Sequence, residues 1–401
     1  MGDAIISRRG SSGSTINFNN TVPYAKSDGR AINIAKSAPM VAAANNRIIV
    51  AGGDTINHSA SDTAVFSYYP NSDPISLPPL TYTRYCGACA LAGDVAIFAG
   101  GEGIYSYGST DAYNTRTLEK AFTGNLSYGR ANLAGTSLGD RAIFAGGNKS
   151  GGYLFARIDA ITSTGEVDYS KNLTQSRSHL VAGTLRNLAF VAGGKKGTQN
   201  VWYDTVDIID TSLNVTATDP LSSARANVGT ATLGDSYILF CGGDAGSVLS
   251  DKIDVYNSSG SRVKTITLPT PTTNMFGLSF PNFVIVGGGR IPLAEGGTIP
   301  TDQAYIIDSS LTIVGTITLN TAKYLCGTAT MNGKGFIFGG TNDTVCFDSV
   351  EIIELVQNLP LFPGMQYKLG DMGAEETVAT TKIYQVTKGL SGYIKVSNIN
   401  I

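Results

Sequence analysis

Six basic residues recur at one register of a repeating text: Lys36, Arg84, Arg130, Arg177, Arg225 and Lys323. Each stands 16 residues ahead of a glycine pair, or 17 for Arg225, and in the remaining copy Asn274 lies near this register. Lys and Arg make up only 29 of 401 residues, so six at one register is a pattern rather than chance. Gathered in one place they would form a cationic ring for an anionic or polyhydroxyl ligand, with arginine offering fork-shaped donors. The alternative is structural. Six copies carry an aspartate ahead of a later strand (Asp62, Asp111, Asp204, Asp251, Asp302 and Asp348), and each basic residue would tie down its own copy's loops through it.

Other candidate chemistry is sparse. The two histidines are His58 and His179, and His179 reads as a packed strand residue. The five cysteines are scattered through strand-like text. Cys86 and Cys89 form a CxxC, but residues three apart point to opposite faces of a strand. No second CxxC completes a zinc set, so free thiols are expected. Neither a Gly-x-Ser-x-Gly elbow nor a phosphate loop occurs. The expectation is a protein without cofactor or catalysis.

What positions the basic residues is an apolar strand ending in a double glycine, written seven times. The first glycines fall at 52, 100, 146, 193, 242, 287 and 339, in steps of 48, 46, 47, 49, 45 and 52. That period belongs to propellers rather than to helical solenoids. The fourth copy shows the plan. Arg177 to Leu185 alternates apolar and polar residues as a first strand should, and Arg186-Asn187 turns. Leu188 to Ala192 is continuously apolar, as in a strand buried on both faces. Gly193-Gly194 ends it, Thr205 to Asp210 gives a third strand, and Asn214 to Thr218 an outer fourth. Four strands per copy make one propeller blade, so the fold class is all-β with seven blades over 28–355. The last copy lacks an outer strand, and Gly29 to Ala35 has the character to supply it and lock the ring.

A basic residue, an apolar strand, Gly-Gly and then an Asp- or Tyr-bearing strand resembles the kelch repeat. Ser250-Asp-Lys-Ile-Asp-Val-Tyr256 and Thr301-Asp-Gln-Ala-Tyr-Ile-Ile-Asp308 carry the likeness. The kelch tryptophan after the third strand is missing from every copy, the only tryptophan being Trp202. The resemblance implies a kelch-like seven-bladed β-propeller.

The loops after the glycine pairs vary, as binding loops on a rigid scaffold do. They hold His58, Tyr105, Tyr107, Tyr153, Trp202 and Tyr203, side chains with a flat apolar face and a polar edge that suit sugar or protein contact. A net charge of −2 argues against nucleic acid, and no run of 18 apolar residues offers a membrane span. Residues 1–27 read as an arm, and 356–401 break the period as a small β appendage containing a hairpin over 378–396. The start, Ala4-Ile-Ile-Ser-Arg-Arg-Gly10, resembles the N-termini of tail-associated proteins of bacteriophages and prophages and has no secretory character. That likeness implies a virion protein whose loops meet a bacterial surface glycan or protein receptor. Its termini would meet other tail proteins, and a homo-oligomer is compatible with it. The alternative is a cytoplasmic kelch-type adaptor that holds a protein partner.

Overall fold

The structure, a computed structural model, describes side chains over 35–354 except 56–63, 70–71 and 198. Outside that range it describes the strands at 6–8, 21–31, 355–357, 360–361, 366–369, 374–377, 382–388 and 394–398. The described residues are all-β, and they contain seven four-stranded sheets arranged as the blades of a propeller. In the fourth blade the strands are Val181–Leu185, Leu188–Ala192, Val206–Asp210 and Val215–Ala217, in that order across the sheet. First strands touch the first strands of both neighbouring blades all the way round, so they line the axis and the ring is closed.

Burial follows from that arrangement. Second strands such as Val95–Ala99 are buried along their whole length, sandwiched between neighbouring blades, and are apolar throughout. Outer strands alternate, as Lys120–Asn125 does. The apolar clusters bridge blades rather than fill single ones. Ile143, Ile158 and Leu138 of blade 3 pack with Val191, Ile209 and Leu213 of blade 4. Ile48, Val50 and Tyr68 of blade 1 pack with Phe336, Phe338 and Val350 of blade 7, sealing the ring. The closing outer strand of blade 7 is Thr21–Ala31, paired beside Ser349–Gln357. It starts earlier than the 29–35 stretch read from the sequence.

The chain forms two compact units, one over 27–352 and a second made of 1–26 with 353–401. In the second, Ile6–Arg8 pairs with Gln366–Leu369, and Lys382–Lys388 pairs with Ile394–Asn398 in a hairpin.

The glycine doublets are where blades are stitched together. The second glycine of each donates its N–H to the carbonyl at the next blade's basic register: Gly53 to Arg84 at 3.1 Å, Gly147 to Arg177 at 2.9 Å, and Gly340 back to Lys36 at 2.8 Å. The first glycine lies so close to that carbonyl that a Cβ would collide with it, 2.6 Å away at Gly100 and 2.5 Å at Gly193. Both glycines adopt positive φ. In blade 6 the doublet is Gly288-Gly289, one residue later than the sequence reading. Gly287 there is the last strand residue, the place Ala145 and Ala192 hold in other blades. The basic register of blade 6 is accordingly Thr272, whose carbonyl accepts from Gly243, and not Asn274.

Asn274 has a different role. Two residues past the basic register every blade places one residue in the left-handed region: Ala38, Cys86, Asn132, His179, Asn227, Asn274 and Leu325, with φ between 47° and 55°. Such a φ disfavours a side chain by about 1–2 kcal/mol. Hydrogen bonds between blades offset it, with His179 N–H donating to Asn132 at 3.0 Å and Ala38 to Leu325 at 2.6 Å.

These contacts give a controlled comparison. Gly93 also has positive φ, 56°, but an added Cβ there meets nothing within 4 Å. Gly93→Ala should cost about 1–2 kcal/mol from backbone conformation alone. Gly146→Ala should cost at least about 1 kcal/mol more, because its Cβ would lie 2.8 Å from the Arg177 carbonyl. Denaturant unfolding of the two variants checks this, and equal costs would refute the stitching role.

Candidate binding face

The topology assigns the candidate residues to faces. Second strands end, and first strands begin, on the same face, so the loops after the doublets and the connections between blades share it. The opposite face holds the turns within each blade, such as Asn45-Asn46 and Asn332-Gly333.

All six basic residues sit under this face and are no more than 1 % exposed. Four arginines and one lysine face a carboxylate of their own blade. Arg130 meets Asp159 at 2.7 Å, Arg177 meets Asp207 at 2.9 Å, Arg225 meets Asp254 at 2.8 Å and Lys323 meets Glu351 at 2.7 Å, while Arg84 pairs closely with Asp111. Blade 1 differs: Phe66 stands at the acidic position and the Lys36 ammonium lies 5.7 Å from its ring. Burial draws the Arg84, Arg130 and Arg177 pKa values down from their usual height, and the paired carboxylates oppose that.

The expected aspartates are therefore corrected at most positions. Asp111 is a partner, but Asp204, Asp251 and Asp348 are not. The partner lies three residues further on, inside the third strand, where alternation returns the side chain to the face turned toward the arginine. In blade 6 Tyr305 fills the acidic place opposite Val286 and Thr272 the basic register, so Asp302 makes no ion pair among the described residues. Asp62 lies outside the described residues.

Each carboxylate also holds the connection entering its blade. Asp111 accepts from the Thr81 N–H and hydroxyl, Asp159 from Ser127, Asp207 from Thr174, Asp254 from Ser222 and Glu351 from the Asn320 N–H. These hydroxyl or amide residues stand three places before the basic one. Burial pushes Asp254 up, but Arg225, the Ser222 N–H and Thr265 together outweigh it and hold its pKa below the usual value. The guanidinium ends of the arginines and the Lys323 ammonium face carboxylates within the blades, while the Nε groups of Arg84, Arg130 and Arg177 are buried without an acceptor among the described residues.

The loop residues separate into two kinds. Tyr105 and Tyr153 are exposed tips, at 71 % and 67 %. Tyr107 and Tyr203 instead close their loops: each donates its N–H to the second glycine's carbonyl and accepts from the next blade's arginine N–H. Tyr107 is half-buried and stacks on Tyr82 with centroids 4.9 Å apart. His58 lies outside the described residues.

Aliphatic tips escaped the sequence reading. Of sixteen exposed large apolar side chains among the described residues, eleven lie on this face. Ile104 of blade 2, Val201 of blade 4, Val248 of blade 5, Leu293 and Ile299 of blade 6 and Val345 of blade 7 are among them.

Two clefts open between the loops. One, of about 450 Å³, lies between blades 3 and 4 and is lined by Lys149, Lys195, His179, Asn148, Gln199, Asn200 and Trp202, with serines and glycines. No acidic residue lines it. The other, of about 260 Å³, spans blades 7, 1 and 2 and is lined by Asp54, Asp343, Tyr85, Tyr324, Cys86 and Cys346, without a basic residue. There Tyr324 donates its hydroxyl to Asp343 at 2.7 Å, and Arg290 pairs with the same carboxylate. Of the two clefts, one is thus lined by lysines and the other by carboxylates. The cysteines are free thiols, and burial raises Cys86 and Cys89 to about 12, which keeps both protonated. Among the described residues no group of three metal-ligating side chains occurs.

No family model matches the chain, and no curated protein matches it. Among solved structures it is similar to the one titled "Structure of YjhT", with a TM-score of 0.55 and 14 % identity over 71 % of this chain and 98 % of that one. At that identity the likeness shows the fold alone.

Removing one partner of a buried pair strands a charge, so Arg177→Met should destabilise by about 3–5 kcal/mol, and Arg177→Met with Asp207→Leu should recover much of that loss. Thermal unfolding checks it, and an unchanged melting temperature in the single variant would contradict the pairing.

His179 supplies a second test. Burial, and then the Lys195 charge, lower its pKa to about 4 from an ordinary 6.5. Between those values the unfolded chain takes up a proton that the folded one does not, so this group's contribution falls as pH drops from 6.5 to 4. His179→Asn puts in place the residue that blades 3, 5 and 6 carry there. It should fold and lose less melting temperature between pH 7 and pH 4.5 than the parent; an equal loss would refute the assignment.

Proposed function

We propose that this chain is a non-enzymatic, kelch-like binding protein that uses its loop face to hold a bacterial surface glycan or protein, as a phage or prophage tail-associated receptor-binding protein. The observation that carries the reading is the concentration of exposed apolar side chains on one face. Large apolar tips in water mark contact surfaces when they cluster, whereas single ones carry no meaning. Tyr105 and Tyr153 add the flat, amphipathic anchors that dominate binding energy at protein and sugar interfaces.

Rigidity supports it as well. Every loop springs from a doublet fixed to the next blade, so the tips are presented by a frame that holds still when a partner docks. The six basic residues belong to that frame. The virion assignment rests on the opening residues Ala4 to Gly10 and on the β-rich, Gly-rich composition.

The test is adsorption of the purified full chain to whole bacterial cells and isolated envelopes. A triple variant, Ile104→Ser, Tyr105→Ser and Val248→Ser, should keep its melting temperature, because surface changes alter stability by only about 0.5 kcal/mol. It should lose adsorption at least about tenfold. Unchanged adsorption by the variant, or none by the parent to any envelope tried, would overturn the proposal.

A further inference from the structure

The cleft between blades 3 and 4 differs from the rest of the face in its unspent charge. Neither Lys149 nor Lys195 has an anionic partner among the described residues, in a protein where the buried cations are paired. Lys149 rests its ammonium 5.1 Å from the centroid of the Tyr153 ring, a contact that leaves its donors open. Of the lining residues, Ser150 reaches a carboxylate: its hydroxyl donates to Glu102 at 3.4 Å.

The remaining lining is suited to hydroxyl groups. Asn148, Gln199 and Asn200 carry carboxamides, which donate and accept at once, as a sugar hydroxyl also does. Asn148 already accepts from the Asn132 amide at 3.0 Å, which leaves its own NH₂ group to donate. Trp202 supplies an aromatic wall, and its indole N–H is buried without an acceptor among the described residues. Orphaned donors of that kind are costly, and an oxygen entering beside it would relieve the cost.

Glycines build the enclosure. Gly152 and Gly197 come from the two facing loops, and a Cβ at Gly197 would lie 3.3 Å from the Gly152 carbonyl. The loops therefore touch at residues without side chains. At about 450 Å³ the cleft falls within the roughly 300–1,000 Å³ of small-ligand sites.

We infer that this cleft is a saccharide site for one carboxylate-bearing sugar residue, with Lys149 and Lys195 taking the carboxylate, Gln199, Asn200 and Asn148 the hydroxyls, and Trp202 walling the ring. The inference rests on the reading of the loop face as a receptor-binding surface, and it names the chemistry of one subsite there. Ammonium groups favour a carboxylate over a neutral sugar, and the amides favour a sugar over a bare anion.

Isothermal titration of the full chain with sodium glucuronate, glucose and inorganic phosphate tests it. Glucuronate should bind with a millimolar or tighter Kd, and glucose and phosphate at least about tenfold more weakly. Lys149→Ala with Lys195→Ala should abolish the preference for glucuronate over glucose, and Gln199→Ala with Asn200→Ala should weaken glucuronate without improving phosphate. Both pairs lie on exposed or half-buried loop positions, and their melting temperatures should match the parent. Equal binding of glucose, equal binding of phosphate, no binding of glucuronate at tens of millimolar, or lysine variants that bind as the parent does would each overturn the site. If envelope adsorption persists while glucuronate fails, the cleft inference alone falls. If glucuronate binds and adsorption fails, the receptor reading alone falls.

Discussion

One hydrogen bond, made seven times, carries this architecture: the N–H of a doublet's second glycine to the carbonyl at the next blade's basic register. It joins the end of one blade's central strand to the beginning of the next blade's innermost strand. The geometry tolerates no side chain on the first glycine, because the carbonyl stands where its Cβ would be. Sequence period, blade spacing and ring closure are therefore one constraint expressed at three scales. The buried ion pairs act on the same junction. The residue whose backbone carbonyl receives the stitch sends its side chain to a carboxylate, and that carboxylate holds the incoming connection through a hydroxyl three residues earlier. At the junction of blades 3 and 4, Gly147 of the first and Thr174, Arg177 and Asp207 of the second form one connected unit.

Such pairs do not by themselves argue for high stability. Desolvating two charges costs several kcal/mol per ion, and the attraction between them returns a comparable amount. Their value here is directional. An arginine with its carboxylate fixes where a connection enters the blade, a task that an apolar contact of equal strength does with less angular definition. Blade 6, with Thr272 at the basic register, shows that the fold tolerates its absence, and blade 1 places an aromatic ring at the acidic position. There Phe66 and Tyr305 fill the acidic position, and Lys36 and Thr272 face them.

Much of this frame was legible because its physics is local. A carbonyl packed against the first position and a φ near 100° at the second demand glycine at both, and a strand buried on both faces demands continuous apolar text, so the doublets announce the blades. Blade 6 was read one residue early because Gly287, Gly288 and Gly289 run together, and only the backbone conformation tells which two are the stitch. The carboxylates were misplaced for a different reason. Asp204 precedes the third strand of blade 4 and Asp207 lies inside it, and the choice depends on which face each presents across the blade. One signal was available: Asp207 sits inside an apolar strand, where an unpaired charge would be untenable. The apolar tips of the loops carried no such mark. Nothing in the types of Val201, Val248 and Val345 tells an exposed tip from a core residue, and their exposure follows from how far each small loop projects beyond its doublet. The two clefts are also assembled from loops of neighbouring blades, so no contiguous stretch of text contains either.

The outer strand of blade 7 comes from Thr21–Ala31 and sits beside Ser349–Gln357, more than 300 residues away in the chain. Six blades are built from neighbouring text and form by local hairpin pairing. The seventh needs both distant segments at once, and bringing them together carries a loop-closure entropy that no earlier blade meets. A chain emerging from a ribosome makes the closing strand first and can use it last. Until then the third strand of blade 7 keeps an open edge, and the first strand of blade 1 lacks one of its two neighbours around the axis. The ring thus sets an order of events in time: six blades accumulate, and one late event between segments remote in sequence turns an open fan of sheets into a closed body without free inner edges.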